Sequence, residues 1–144
     1  MKNLSTYIAY PGTTQEAFEH YRDVFGGELS IVKYGDMPPM EGMPFEPDPD
    51  AVAHATLTLP GGTITGSDQM PGETYAVKDT IYSLLYGFDD VEEARACLAT
   101  LVEAGGAVNM SFELAPWGDH YGTVFDKFGV MWAFTVPAAE ETGN

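Results

Sequence analysis

Basic side chains are scarce in this sequence: six lysines and arginines stand against 22 aspartates and glutamates, for a formal net charge of -16. Holding a phosphate backbone or an anionic membrane depends on Lys and Arg neutralising negative charge, so neither nucleic acid nor a membrane is expected as a partner. The acidic surplus reads first as a solubility device. Cysteine is nearly absent too. The single copy, Cys97, excludes an intrachain disulfide, and its place in an apolar helical pattern suits a small buried hydrophobe better than a nucleophile. No apolar run approaches the ~20 residues of a membrane span, and no charged-then-apolar opening is visible. A reducing cytoplasm is the expected setting. Glycine is plentiful, at 16 residues, yet no GxGxxG or phosphate loop follows a strand, and the three histidines form no HxH or HExxH spacing.

What is present is a globular composition, 44% hydrophobic and 12% aromatic over 144 residues, enough for one domain with its own core. Its strongest pattern is internal duplication. Thr13 opens a helix, with Glu16 three residues on as a capping-box partner. Ala17, Phe18, Tyr21, Val24 and Phe25 then recur at helical spacing, and Gly26-Gly27 stops the run. Asp90 and Glu93 make the analogous start in the second half. Val91, Ala94, Leu98, Leu101 and Val102 form its stripe, and Gly105-Gly106 ends it. Strand-like runs flank each helix: 4–10 before the first, with 28–34, 52–59 and 63–67 after it. The second has 80–88 before it and 107–114, 121–126 and 130–136 after it. Alternation in 52–59 sets Ala55, Leu57 and Leu59 on an apolar side and His54, Thr56 and Thr58 on a polar one. One face of that sheet therefore packs on a helix, and the other is wet or binds something.

Two segments escape the pattern. Residues 35–50 hold five of the ten prolines and three of the seven methionines. With Phe45, they read as a lid over the chain's own pocket, a contact to a partner subunit, or surface filler. Residues 138–144 are expected to form a disordered acidic tail.

The stretch from Ala17 to Glu28, AFEHYRDVFGGE, closely resembles the first helix of vicinal oxygen chelate proteins, the glyoxalase, bleomycin-resistance and dioxygenase superfamily. The run from Asp126 to Trp132, DKFGVMW, resembles that superfamily's closing hairpin. The run from Pro116 to Gly122, PWGDHYG, is similar to its PhnB-like branch, and Tyr7-Ile8-Ala9-Tyr10 and Ser67-Asp68 agree with that branch. The resemblance covers residues 4 to 136. It implies an α+β fold of paired βαβββ modules forming one curved mixed sheet, helices on the convex face and a small-molecule pocket on the concave one. As domain organisation it implies a single domain over 1–137, with modules at about 4–76 and 80–136. It also implies a homodimer.

Metal-using members of the superfamily carry His, Gln or Glu at four strand positions. Carried over, these fall on Ser5 or Thr6, near Thr65, on Ser83 and on Ala133. Hydroxyls and a methyl group do not hold a catalytic divalent ion unaided, so no metal and no cofactor is expected. Candidate substrate-binding residues are Tyr7, His54, Asp68, Trp117, Asp119 and Tyr121. Tyr7, Trp117 and Tyr121 would supply aromatic walls with polar handles, and His54 a hydrogen bond from the polar strand face. Asp68 and Asp119 are placed in loops at the pocket mouth, where a turn-capping role competes. His20 is expected to face solvent, His120 to sit in the turn beside Asp119, and Trp132 to pack toward the helix with Val130 and Phe134. No catalytic residue is assigned. The resemblance implies a PhnB-like small-molecule-binding protein. Its alternatives are a lyase, isomerase or dioxygenase with a replacement metal site, and a drug-sequestering protein of the bleomycin-resistance kind.

Overall fold

The computed structural model describes residues 4–38, 42, 46–72 and 76–138. Met40, Met43 and Phe45 of the proposed lid, and the tail from 139 onward, lie outside the described residues. The chain divides into two compact units, Met1–Tyr75 and Ala76–Asn144. The first contains β1 (Thr6–Tyr10), α1 (Thr14–Phe25), β2 (Glu28–Lys33), a short 3-10 turn (Tyr34–Asp36), β3 (Val52–Leu59) and β4 (Gly62–Asp68). The second repeats the plan with β5 (Leu84–Gly87), α2 (Val91–Glu103), β6 (Ala107–Leu114), β7 (His120–Phe125) and β8 (Met131–Val136). The expected α+β fold of paired βαβββ modules is present. Hydrogen bonds join the strands as two sheets of four, ordered β1-β4-β3-β2 and β5-β8-β7-β6. The first strand of each unit runs parallel to the last, and the remaining pairs are antiparallel.

Local chemistry explains the elements. In unit 1 the helical stripe buries Ala17, Phe18 and Tyr21 on Ala55, Leu57 and Ile64 of the sheet. Tyr10 and Tyr21 are fully buried and their hydroxyls meet at 2.9 Å, so neither phenol is desolvated alone. Gly27 turns the chain into β2 at φ 103°, and a Cβ there would run into the Thr58 carbonyl, so only glycine fits. In unit 2 the core includes Phe88, Ala94, Leu101, Phe112, Val124, Trp132 and Phe134.

Two expectations are corrected. Thr13 and Glu16 do not form a capping box, because the Thr13 side chain makes no cap bond. The Thr14 amide is met instead by Asp68 Oδ1 at 3.1 Å, from 54 residues away. The second helix does start as read: Asp90 accepts from the Glu93 amide at 3.2 Å. The strand expected over 80–88 begins only at Leu84, opposite Trp132. Among the described residues β5 pairs with β8, in parallel from Leu84 opposite Trp132, and since β8 begins at Met131 residues 80–82 fall opposite positions before that strand.

Candidate functional site

Each sheet has one face spent on its helix, which leaves the other for function. In unit 1 a Cβ on Gly66 would meet the Phe18 ring of α1 at 3.2 Å, so Gly66 and its same-face neighbours look toward the helix. Strand alternation turns Thr65 the other way. Register then aligns Tyr7, Thr65, Thr56 and Ser30 as a row across all four strands on the face away from α1. His54 shares that side, two residues before Thr56 on β3. Tyr7, 57% exposed, and the exposed His54 stack with centroids 5.8 Å apart and planes 29° from parallel. The Thr56 hydroxyl and His54 Nε2 are 3.1 Å apart, a hydrogen bond between neighbours on the same face of β3. This is a solvent-exposed stacked pair of rings on the face that also carries the Thr65, Thr56 and Ser30 hydroxyls. Its period-two signal was visible for His54 and Thr56. Ser30 was missed, although it occupies an alternate position of the 28–34 run.

Asp68 is the last residue of β4 and does not lie in a loop. Its two oxygens accept from Thr14 N at 3.1 Å and Val52 N at 2.9 Å, joining the start of α1 to the start of β3. His20, expected to face solvent, is half-buried on α1, with its ring 6.1 Å from that of Tyr21, because this helix face turns in toward the core.

In unit 2, Trp117 is 67% exposed and meets Tyr121 edge-on at 6.3 Å, so those two candidates are brought together. Tyr121 pairs with Thr135 and Glu113. Asp119 stands before β7 and accepts from the Ala138 amide at 2.8 Å, beyond the end of β8. His120 opens β7 and lies 5.9 Å from the Phe112 ring, on the side that faces α2. Trp132 and Phe134 are buried on that same side, as their alternation implied. The indole Nε1 of Trp132 donates to Asp126 Oδ2 at 2.9 Å. Burial raises the Cys97 thiol pKa, with Glu93 adding to the effect, so the neutral thiol is favoured over a nucleophilic thiolate. Outside these faces, α2 and β6 enclose a shallow groove of about 320 Å³ lined by Arg95, Leu98, Val108 and Phe112 among others. There Arg95 Nη1 donates to the Phe112 carbonyl at 3.1 Å and its guanidinium lies 5.2 Å from the Phe112 ring centroid. Nothing in the local sequence announces that contact, since its partners are 17 residues apart.

The four positions that the resemblance assigns to metal ligands do not fit a divalent ion. On β1, Thr6 shares the helix side with Ile64, and Ser5 stands just before the strand. The Ser5 hydroxyl is 2.9 Å from the Thr63 carbonyl, and the Thr65 hydroxyl donates to the Thr6 carbonyl. In unit 2, Ala133 is 2% exposed beside Leu85 and Thr123 and has no donor atom, while Ser83 precedes β5. Among the described residues no three His, Cys, Asp or Glu converge in a ligating group. Neutral hydroxyls already bonded to carbonyls lack the charge and basicity that a divalent cation requires.

Comparison with known proteins agrees with this architecture. A model of the Glyoxalase/Bleomycin resistance protein/Dioxygenase superfamily matches residues 4–134. Protein YjdN from Escherichia coli (strain K12) is 31% identical over 149 aligned positions, covering 96% of this chain and 98% of that protein. Among solved structures, protein PA1353 from Pseudomonas aeruginosa superposes with a TM-score of 0.81 at 27% identity, over 96% of this chain and 100% of that one. The PhnB protein from Bacillus cereus gives a TM-score of 0.73 at 26% identity, over 94% and 99%.

Proposed function

The chain belongs to the Glyoxalase/Bleomycin resistance protein/Dioxygenase superfamily, and from that premise we propose that it is a PhnB-like small-molecule-binding protein that works without the superfamily's usual metal. The observation that carries this reading is the stacked Tyr7–His54 pair, exposed to solvent on the face that also carries the Thr56 and Thr65 hydroxyls. Exposing two aromatic rings costs hydrophobic free energy, and a site that binds a planar organic ligand recovers it on occupation. The His54 ring supplies a hydrogen bond and Tyr7 a phenol, which together orient the ligand.

Trp117 and Tyr121 are further candidate contacts in unit 2, supported by their adjacency and exposure. Asp68 and Asp119 are weaker ones. Their carboxylates are engaged by backbone amides, which favours a scaffold role for both. A cytoplasmic homodimer belongs to the same proposal. Support for the dimer comes from β6, an eight-residue edge strand with exposed Val108, Met110 and Leu114. Among the described residues no helix is long and apolar enough to cross a membrane.

A thermal-shift screen against a library of small organic compounds tests the binding claim, because a ligand that prefers the folded state raises the melting temperature. Compounds that stabilise the native chain are expected to lose their effect in both Tyr7→Ala and His54→Ala. Hits that survive both substitutions would place the site elsewhere, and sedimentation of the purified chain as a monomer would remove the dimer.

A further inference from the structure

We propose that the groove between α2 and β6 is a second binding site, for a small organic monocarboxylate whose charge pairs with Arg95 and whose apolar body rests on Leu98, Val108 and Phe112. All of these residues belong to unit 2, so the site is independent of the rings in unit 1. Register puts Val108 in one row with the buried Val124 and Trp132, on the side that faces α2. Phe112, 5% exposed, turns to the same side. Along this stretch the pairing of β6 with β7 shifts register twice, between Val108 and Met110 and again between Met110 and Glu113. Bulges of this kind bend an edge strand and re-aim its side chains, and they recur beside binding sites. The groove of about 320 Å³ falls within the size range of small-molecule sites, and its apolar walls carry a few polar groups, Arg95 and Ser111 among them.

Arg95 decides the charge of the ligand. Its Nη1 donates to the Phe112 carbonyl at 3.1 Å and its guanidinium stands 5.2 Å from the Phe112 ring centroid, so the group is oriented before any ligand arrives. Among the described residues it makes no ion pair, in a chain with 22 acidic side chains. Glu113 also lines the groove, but register sets it in a row with Tyr121 and Thr135 on the opposite face, which turns its carboxylate away from Arg95. A guanidinium held by a carbonyl keeps N–H donors for a ligand, and their fork matches the two oxygens of a carboxylate. One cation suits one negative charge, and the net charge of -16 repels ligands that carry more. The shallow, apolar walls select a flat or short body behind that charge.

The test is titration of the intact chain with naphthoate and with its neutral isostere naphthamide at about pH 7.5, where the acid is ionised. Backbone amide shifts in NMR report both affinity and position. Naphthoate is expected to bind at least about tenfold more tightly than the amide, with the largest shifts in residues 95–98 and 108–113. Arg95→Gln should remove that preference, and Arg95→Lys, which keeps the charge but loses the planar fork, should fall between the two. Circular dichroism of both variants checks the fold. Equal affinity for the two probes, or a preference that survives Arg95→Gln, overturns the inference. Shifts centred on Tyr7 and His54 overturn it too, while supporting the small-molecule reading of unit 1. Failure of naphthoate to bind at millimolar concentration removes this site and leaves the unit 1 reading to the library screen.

Discussion

Replacing Asp126 tests whether one buried carboxylate organises the closing hairpin of unit 2. Asp126 is 3% exposed; its Oδ1 accepts from Phe128 N at 2.8 Å and Val130 N at 3.1 Å, and its Oδ2 from Trp132 Nε1 at 2.9 Å. The main chain closes the same turn, with Asp126 N donating to the Val130 carbonyl at 2.9 Å and Gly129 N to the Asp126 carbonyl at 3.0 Å. Hydrogen bonds to a charged group contribute about 1.5–3 kcal/mol each, and stranding a buried donor costs about 1–3 kcal/mol. Asp126→Ala strands three donors, some of which water reaches once the side chain is gone, so the expected loss is about 3–5 kcal/mol. Asp126→Asn keeps one oxygen for the two amides but turns an NH₂ group toward the indole N–H, and should cost about 1–3 kcal/mol. Trp132→Phe removes the indole donor together with packing. Because the Asn and Phe changes strike the same bond, their costs should fall short of additivity by about 1 kcal/mol or more. Urea unfolding followed by circular dichroism supplies all four corners. Full additivity within about 0.3 kcal/mol, or an Asp126→Ala variant as stable as the parent, would refute the reasoning.

The remaining predictions are shorter. Asp68→Ala removes the acceptor for the Thr14 and Val52 amides and should cost about 1–3 kcal/mol, lowering the urea midpoint without changing its slope. Cys97 and Tyr86 both titrate above their ordinary values because burial disfavours the charged form, so the folded chain holds these protons more tightly than the unfolded one. That part of the stability is complete below the ordinary thiol range and declines as pH rises through the raised values. A urea midpoint series from about pH 7 to 10.5 should therefore fall at the alkaline end, less steeply in Cys97→Ala; a midpoint that rises there contradicts the sign. Elemental analysis of purified chain should find no stoichiometric nickel, zinc, iron or manganese, since the positions at Thr65 and Ala133 offer no fitting donors.

Much of the fold was legible because it is written in local periodicity. The stripes at 17–25 and 91–102, each ended by a Gly-Gly pair, located both helices, and alternation in 52–59 sorted the two faces of β3 correctly. The illegible parts depend on distant partners. Nothing near Thr13 reveals that Asp68 takes over the helix start, and Thr13–Glu16 is as good a capping box in composition as any that forms. The start of β5 depends on where β8 begins, which propensity in 80–82 does not encode. At the candidate site, His54 and Thr56 declared themselves by alternation. The side that Thr6 takes on β1 needed the cross-strand register with Ile64.

The two units show how duplication separates scaffold from function. Both keep the same strand order, and both tie the last antiparallel pair together with an aspartate, but the tie is reversed. In unit 1 Asp68 at the end of β4 reaches the amide at the start of β3, whereas in unit 2 Asp119 before β7 reaches the amide beyond β8. Either end can hold the carboxylate because the bond closes the same gap between antiparallel neighbours, so the architecture survives an exchange of donor and acceptor. The faces away from the helices differ between the units. Unit 1 lines its face with hydroxyls and an imidazole; unit 2 places Leu85, Ala133 and Thr123 in one row, with Leu85 68% exposed. The repeated scaffold thus keeps its helix side by packing, while the side chains on the other face differ between the two units.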